Sequence, residues 1–243
     1  MQSMESQPKV DLVYPVSDGE PVAETYDHLY AILVTLEVLR QYLEGQKATV
    51  LANQFLYYAQ GFPKLRVAPD VMVIFGVEPG GRDSYKVWEE GEVPRVVFEM
   101  TSKSTQQEDQ LIKRQLYAQL GVQEYWLFDP KGEWLESPLM GYRLGGDAYH
   151  PILDLRSEAL GLQLQVEGKL ITFTVLATGE RLLPPAELGR GLAREKQRAE
   201  QERHRAEQER HRAEQERHRA EREKQRADRL QAQLRALGVD PRE

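Results

Sequence analysis

The chain contains no cysteine. Disulfides, thiolate metal sites and a cysteine nucleophile are therefore excluded, and the composition suits a reducing cytoplasm. No apolar run approaches the roughly 18 residues that a membrane span requires, and the polar stretch Met1–Val10 has no signal-type apolar segment. The expectation is a cytoplasmic protein with no membrane contact. Positive charge is scarce in the first part of the chain: residues 1–190 hold 17 Lys/Arg against 27 Asp/Glu, net −10, whereas residues 191–243 hold 15 against 12, net +3. An acidic body is adverse for nucleic-acid binding, because phosphates need local positive charge. A bound divalent cation or a local basic patch would have to offset it.

What is present is enough for one good-sized core: 243 residues, 40% of them hydrophobic. Between Val22 and Leu43 the residues Leu29, Ile32, Leu33, Leu36 and Leu39 recur at helical spacing and predict an amphipathic helix packed on a sheet. Residues 47–58 and 66–75 are rich in β-branched and aromatic residues and read as strands, the second buried on both faces. Gly76 to Glu92, with four glycines, a proline and many charges, reads as a long loop. Pro94–Met100 is another short apolar strand. Gln106–Leu120 predicts a helix with Leu111, Ile112, Leu116 and Leu120 on its apolar stripe and Gly121 at its end. Glu124–Phe128 follows as a strand, and weaker strand signals lie at 140–144, 149–155, 162–166 and 170–175. This order predicts a mixed α/β fold around a central sheet.

The character changes near Gly191, dividing the chain into a globular domain over 1–190 and a charged tail over 191–243. Alanines at 199, 206, 213, 220 and 227 fall every seven residues within near-copies of AEQERHR. The position four residues later holds Arg203, Arg210, Arg217 and Lys224, where a coiled coil would place leucine. A single helix carried by pairs such as Arg203–Glu207, each contributing about 0.2–0.5 kcal/mol, fits better than a strong coiled coil. Helical over 192–237, the tail would be roughly 70 Å long. Only Leu230, Leu234 and Leu237, at its end, offer an apolar surface for a homodimer or a protein partner. His204, His211 and His218 lie seven apart, about 10 Å along a helix, too far to share one ion.

Two acids sit where acids are costly. Asp70 enters the apolar strand VMVIF, and Glu99 interrupts the run Val96-Val97-Phe98 before Met100. Ionised and buried, each costs several kcal/mol unless paired. If the strands are neighbours, the two acids converge at one sheet edge and a divalent cation would relieve their repulsion. Oxygen ligands with waters and a phosphate are how Mg²⁺ is commonly held, with Mn²⁺ as a second choice. The plainer alternative is that each acid caps a strand end or pairs with an arginine. Thr101–Thr105 is a polar turn able to cap the next helix. Asp109, Lys113 and Tyr117 share one stripe of that helix, from which a lysine could point back at the acids or simply be solvated. His28, one turn after Glu24, could join them or merely pack. Gly76, Gly80 and Gly81 do not form a phosphate loop, since no Gly-Lys-Ser/Thr follows. Tyr125 and Trp126 are better placed to fill the core than to stack bases.

The string Ala23-Glu24-Thr25, Ala68-Pro69-Asp70, Trp88-Glu89-Glu90-Gly91, Phe98–Thr105, Asp109, Lys113, Tyr117 and Gly121–Pro130 resembles the bacterial putative restriction endonuclease family of the PD-(D/E)XK nuclease superfamily, in order over residues 11–185. The resemblance implies a restriction endonuclease-like mixed central sheet flanked by helices, with Mg²⁺-dependent hydrolysis of DNA at one sheet edge. It implies that Asp70 and Glu99 hold the metal and that Glu24 is an additional acid. One departure stands out: the superfamily lysine belongs two residues after Glu99, where this chain has Thr101. Lys103 or Lys113 must replace it, and Lys113 is favoured because a helix fixes its direction and the family carries a lysine there. A catalytically inactive nuclease fold acting as a scaffold through the tail is the alternative, and hydrolysis of a small phosphoester is a third reading that the same acids allow.

Overall fold

The structure, a computed structural model, describes residues 12–19 and 25–236. The chain divides into two compact units, Met1–Pro185 and Ala186–Glu243. In chain order the first unit contains α1 (Tyr26–Tyr42), β1 (Ala48–Leu51), β2 (Phe55–Tyr57), β3 (Arg66–Val67), β4 (Val71–Phe75), β5 (Ser84–Lys86), α2 (Val87–Glu90) and β6 (Val96–Met100). A π-helical segment (Glu108–Lys113) runs directly into α3 (Arg114–Leu120). β7 (Glu124–Phe128), β8 (Leu139–Gly145), β9 (Ala148–Ile152), β10 (Arg156–Ser157), β11 (Leu162–Glu167), β12 (Leu170–Val175) and β13 (Arg181–Leu182) complete it.

Six strands form a central sheet in the order β1-β4-β6-β7-β8-β9. Within this sheet β6 and β7 are the parallel pair, as the helical crossover between them requires. β10–β13 form a second sheet, and β3-β2-β5 a third. This is the mixed α/β architecture with a long C-terminal helix that the sequence predicts.

Period-two alternation decides which residues meet on each face of the central sheet. On β4, Val71 and Val73 join Ile32 and Leu39 of α1 and Leu162 and Phe173 of the second sheet, while Met72 and Ile74 join Leu56, Tyr85 and Tyr117 on the opposite face. β6 divides the same way, with Phe98 in the first cluster and Val97 in the second. Burying a side chain such as Phe98 contributes about 1.5–3 kcal/mol. At Gly141 of β8 an added Cβ would lie 2.4 Å from the Trp126 ring, so only glycine lets the indole lie across that strand.

Several expectations are corrected. The strand read over 47–58 is two strands in different sheets, broken at Asn53, whose φ of 59° turns the chain out of extended geometry. Residues 66–75 likewise divide into β3 and β4 around Pro69, which has no N–H to give a ladder. The loop read over 76–92 holds β5 and α2, with Arg82 pairing Glu90 at 2.8 Å. On α1 the buried face is His28, Ala31, Ile32, Val34, Thr35, Val38 and Leu39, whereas Leu29 and Leu33 are exposed. Gly121 does end α3, at φ 83°.

The second unit is carried by α4, Pro185–Ala236. It begins six residues before the compositional change at Gly191, with proline at the first helical position, where a missing N–H costs nothing. Its charged residues form spaced pairs such as Arg219–Glu223 at 3.3 Å. Leu230 is exposed. The side chain of Leu234, and Leu237 altogether, lie outside the described residues. No helix among the described residues is long and apolar enough to cross a membrane.

Candidate active site

The register of β4 against β6 pairs Val71 with Phe98. Extending it by one residue sets Asp70 opposite Glu99, and directly opposed residues project from the same face. That face is the one on which Met72, Val97 and Tyr117 lie. The two acids therefore converge at the C-terminal end of β6, beside the C-terminal end of parallel β7, where open α/β sheets place their ligands. Asp70 is held there by a hydrogen bond from the Met100 amide, 2.6 Å to Oδ2. His28 of α1 approaches the same oxygen, with Nε2 at 3.7 Å.

Lys113 completes the arrangement. Its Nζ lies 2.9 Å from Glu99 Oε2 and 3.0 Å from Asp109 Oδ1, and the Tyr117 hydroxyl donates to Glu99 Oε1 at 2.7 Å. Asp109, Lys113 and Tyr117 follow one another at four-residue spacing. In an α-helix this spacing drifts by about 40° per step; the wider π-helical turn over Glu108–Lys113 offsets the drift and keeps all three aimed at β6. The same turn corrects the sequence reading of this helix: Leu111 and Ile112 are exposed at 63% and 67%, and the polar stripe is the one that docks.

These groups are deeply buried, with Glu99 and Asp109 each 1% exposed. Burial pushes the Glu99 carboxyl up, to about 8; Asp70 and Asp109 add to the rise, while the Lys113 ammonium and the Tyr117 hydroxyl oppose it. For Lys113 burial acts downward but loses to the surrounding carboxylates, so its pKa stands above the ordinary value and the ammonium stays charged. Burial and Glu99 together hold Tyr117 well above the usual phenol range. Glu99 and Asp109 thus share one ammonium, while Asp70 lies against His28.

The acids form the floor of a cavity of about 720 Å³. Its rim is built by the turn after β6, which carries Lys103, and by the loop after β7, which carries Lys131 and Trp134. That loop wraps around Asp129, 2% exposed, whose carboxylate accepts the amides of Lys131 (3.0 Å), Gly132 (2.9 Å), Trp134 and Leu135 (3.2 Å). The Thr101 hydroxyl, at the position where a lysine was expected, is buried, lines the cavity and has no hydrogen-bond partner. Among the described residues both Asp109 oxygens also lack a hydrogen-bond donor, since the ion pair with Lys113 does not meet hydrogen-bond geometry.

Of the residues singled out in the sequence, Asp70, Glu99 and Lys113 are brought together. Lys103 stays on the rim, exposed and without an ion pair among the described residues, and Glu24 lies outside them. Tyr125 and Trp126 are fully buried in the core. The burial of Asp109 and the rim position of Trp134 went unread. The Asp-Pro-Lys-Gly turn after the strand EYWLF is the signal that would have placed Trp134 beside the strand end.

The model of the Uma2 family, described as putative restriction endonuclease, matches residues 1–192, and the chain belongs to that family. Among solved structures, it is similar to a putative nuclease of family DUF820 from Anabaena variabilis, at 13% identity and a TM-score of 0.42, over 60% of this chain and 81% of that one. No curated protein matches the sequence.

Proposed function

We propose that this Uma2 chain is a metal-dependent endonuclease that hydrolyses phosphodiester bonds of DNA at Asp70, Glu99 and Lys113. The observation that carries the reading is the Lys113 ammonium at 2.9 Å from Glu99, opposite Asp70 on the neighbouring strand. A lysine delivered from the crossover helix thereby stands in for the one missing at Thr101.

The residues fit a hard divalent cation. The donors are almost all oxygen, as Mg²⁺ or Mn²⁺ prefers. The buried Thr101 hydroxyl lacks a partner among the described residues, and Glu99 and Asp109 share the Lys113 ammonium. Among the described residues no three histidines or acids enclose an ion by themselves, so water and substrate phosphate would complete the shell. Asp70 and Glu99 would hold the metal, which when bound lowers the pKa of a water and offsets charge on the scissile phosphate.

The chain's own groups do the rest. The Met100 amide fixes Asp70, and the Tyr117 hydroxyl fixes one oxygen of Glu99. Glu99, held between Lys113 and Tyr117, can orient a water toward the phosphate. Lys113, charged and half-enclosed by acids, can donate to the phosphate oxygens as negative charge builds on them. Thr101 offers a further hydroxyl to a water or phosphate oxygen in the cavity.

Plasmid nicking by wild type, Asp70→Asn and Lys113→Met tests this, each with Mg²⁺ and with EDTA. Cleavage by wild type in Mg²⁺ alone is expected, falling by about a thousandfold or more in both variants. Persistent cleavage in both would remove the assignment. One observation favours the scaffold reading: both Glu99 oxygens already have internal partners, as in a purely structural network. A wild type that leaves DNA intact in every cation would support it.

A further inference from the structure

We infer that the cavity takes DNA as a single, unpaired strand, with a base stacked on Trp134 and flanking phosphates held by Lys103 and Lys131. This rests on the nuclease reading of the same site and narrows its substrate.

Depth is the first argument. Glu99 is 1% exposed and sits at the floor of a half-open pocket of about 720 Å³. A single strand can bend its backbone down to that floor freely, whereas a stiff duplex does so only at the cost of deforming.

Charge is the second. Residues 1–190 carry net −10. A duplex presents one negative charge per roughly 1.7 Å and needs a broad basic surface to meet it. The rim offers Lys103 and Lys131, both exposed, and neither has an ion pair among the described residues. They stand on the loops that follow the parallel strands β6 and β7, and two phosphate contacts suit a short stretch of single strand.

The third is aromatic. Trp134 lines the cavity from a loop whose backbone is fixed by Asp129, so its indole is a prepared stacking surface. Aromatic faces interleaved with a few cations are how single strands are held without reading sequence.

The test is fluorescence anisotropy with the full-length protein in Ca²⁺, using a labelled single-stranded DNA oligonucleotide, the same sequence as duplex, and the RNA version. The same oligonucleotides are incubated with Mg²⁺ and run on a gel. The single DNA strand should bind at least about tenfold tighter than the duplex. Trp134→Ala should weaken single-strand binding by about 5- to 100-fold, and Trp134→Phe should restore most of it. The double variant Lys103→Ala/Lys131→Ala should lower the salt slope by about 1.4, two single-strand contacts. Duplex bound as tightly as single strand, RNA bound tighter than DNA, or Trp134→Ala equal to wild type would overturn the inference. Single-strand preference without cleavage in Mg²⁺ would uphold it while removing the nuclease reading.

Discussion

The parallel pair β6–β7 carries a buried glutamate at each end, and the two are handled in opposite ways. Glu124, where β7 begins, is 1% exposed and fully provided for. It accepts the amides of Glu158 (2.9 Å) and Ala159 (3.2 Å), the Ser157 hydroxyl, the Trp126 indole N–H and the Arg143 guanidinium. Glu99, where β6 ends, is buried to the same extent and bonded by Lys113 and Tyr117, yet two further carboxylates stand beside it, a cavity opens above it, and the Thr101 hydroxyl in that cavity has no hydrogen-bond partner among the described residues. Equal burial therefore has two meanings. One carboxylate is a tie between the central and second sheets; the other is the one we propose to hold a cation.

The contrast breaks if substitutions at the two ends behave alike. Glu99→Gln should abolish cleavage, by about a thousandfold or more, while leaving thermal stability equal or higher, because it removes one of three crowded buried charges. Glu124→Ala should do the reverse. Several buried donors lose their acceptor, at a cost of about 3 kcal/mol in urea unfolding, with cleavage per folded molecule unchanged. A Glu99→Gln variant that unfolds, or a Glu124→Ala variant that is stable and inactive, would invert the account. A smaller effect sharpens the packing of the same strand pair: Gly141→Ala sets a methyl against Trp126 and should cost about 1–3 kcal/mol, read by urea unfolding.

The smallest effect comes from a partly exposed pair far simpler than Glu99–Lys113. The hydrogen bond and charge of Arg82 hold Glu90 below the usual carboxylate range. A depressed carboxylate contributes stability above its unfolded pKa and loses it as pH falls through its folded pKa. Arg82→Ala should therefore lower stability by under about 1 kcal/mol near neutral pH. The difference should close in acid, which thermal melts across pH would record.

The same contrast explains what could be read from sequence. Asp70 and Glu99 were legible because an acid beside Pro69 and another inside VVFEM break apolar runs that otherwise predict buried strands, and β-pairing then follows from alternation. The helix after β6 was misread because periodicity assumes that a helix buries its apolar stripe. Here the docked stripe is Asp109, Lys113 and Tyr117, drawn in by Glu99, and the π-helical turn that aligns them has no composition signature. Lys113 was reachable only through the family resemblance, since nothing in its spacing separates it from a solvated lysine. On α1, both Leu29 and Ile32 fit helical spacing, and which of them faces the sheet depends on an entry angle that residue order does not encode. The break at Asn53 turns on a single φ, invisible in a run of β-formers.

The most direct test of the central claim is calorimetric titration of Mg²⁺ and Mn²⁺ into wild type and Asp70→Ala, with plasmid cleavage followed on the same samples. The account predicts saturable binding by wild type and cleavage that depends on it, with both lost in the variant. A wild type that binds neither ion, or an Asp70→Ala variant that binds and cleaves as wild type does, would contradict it.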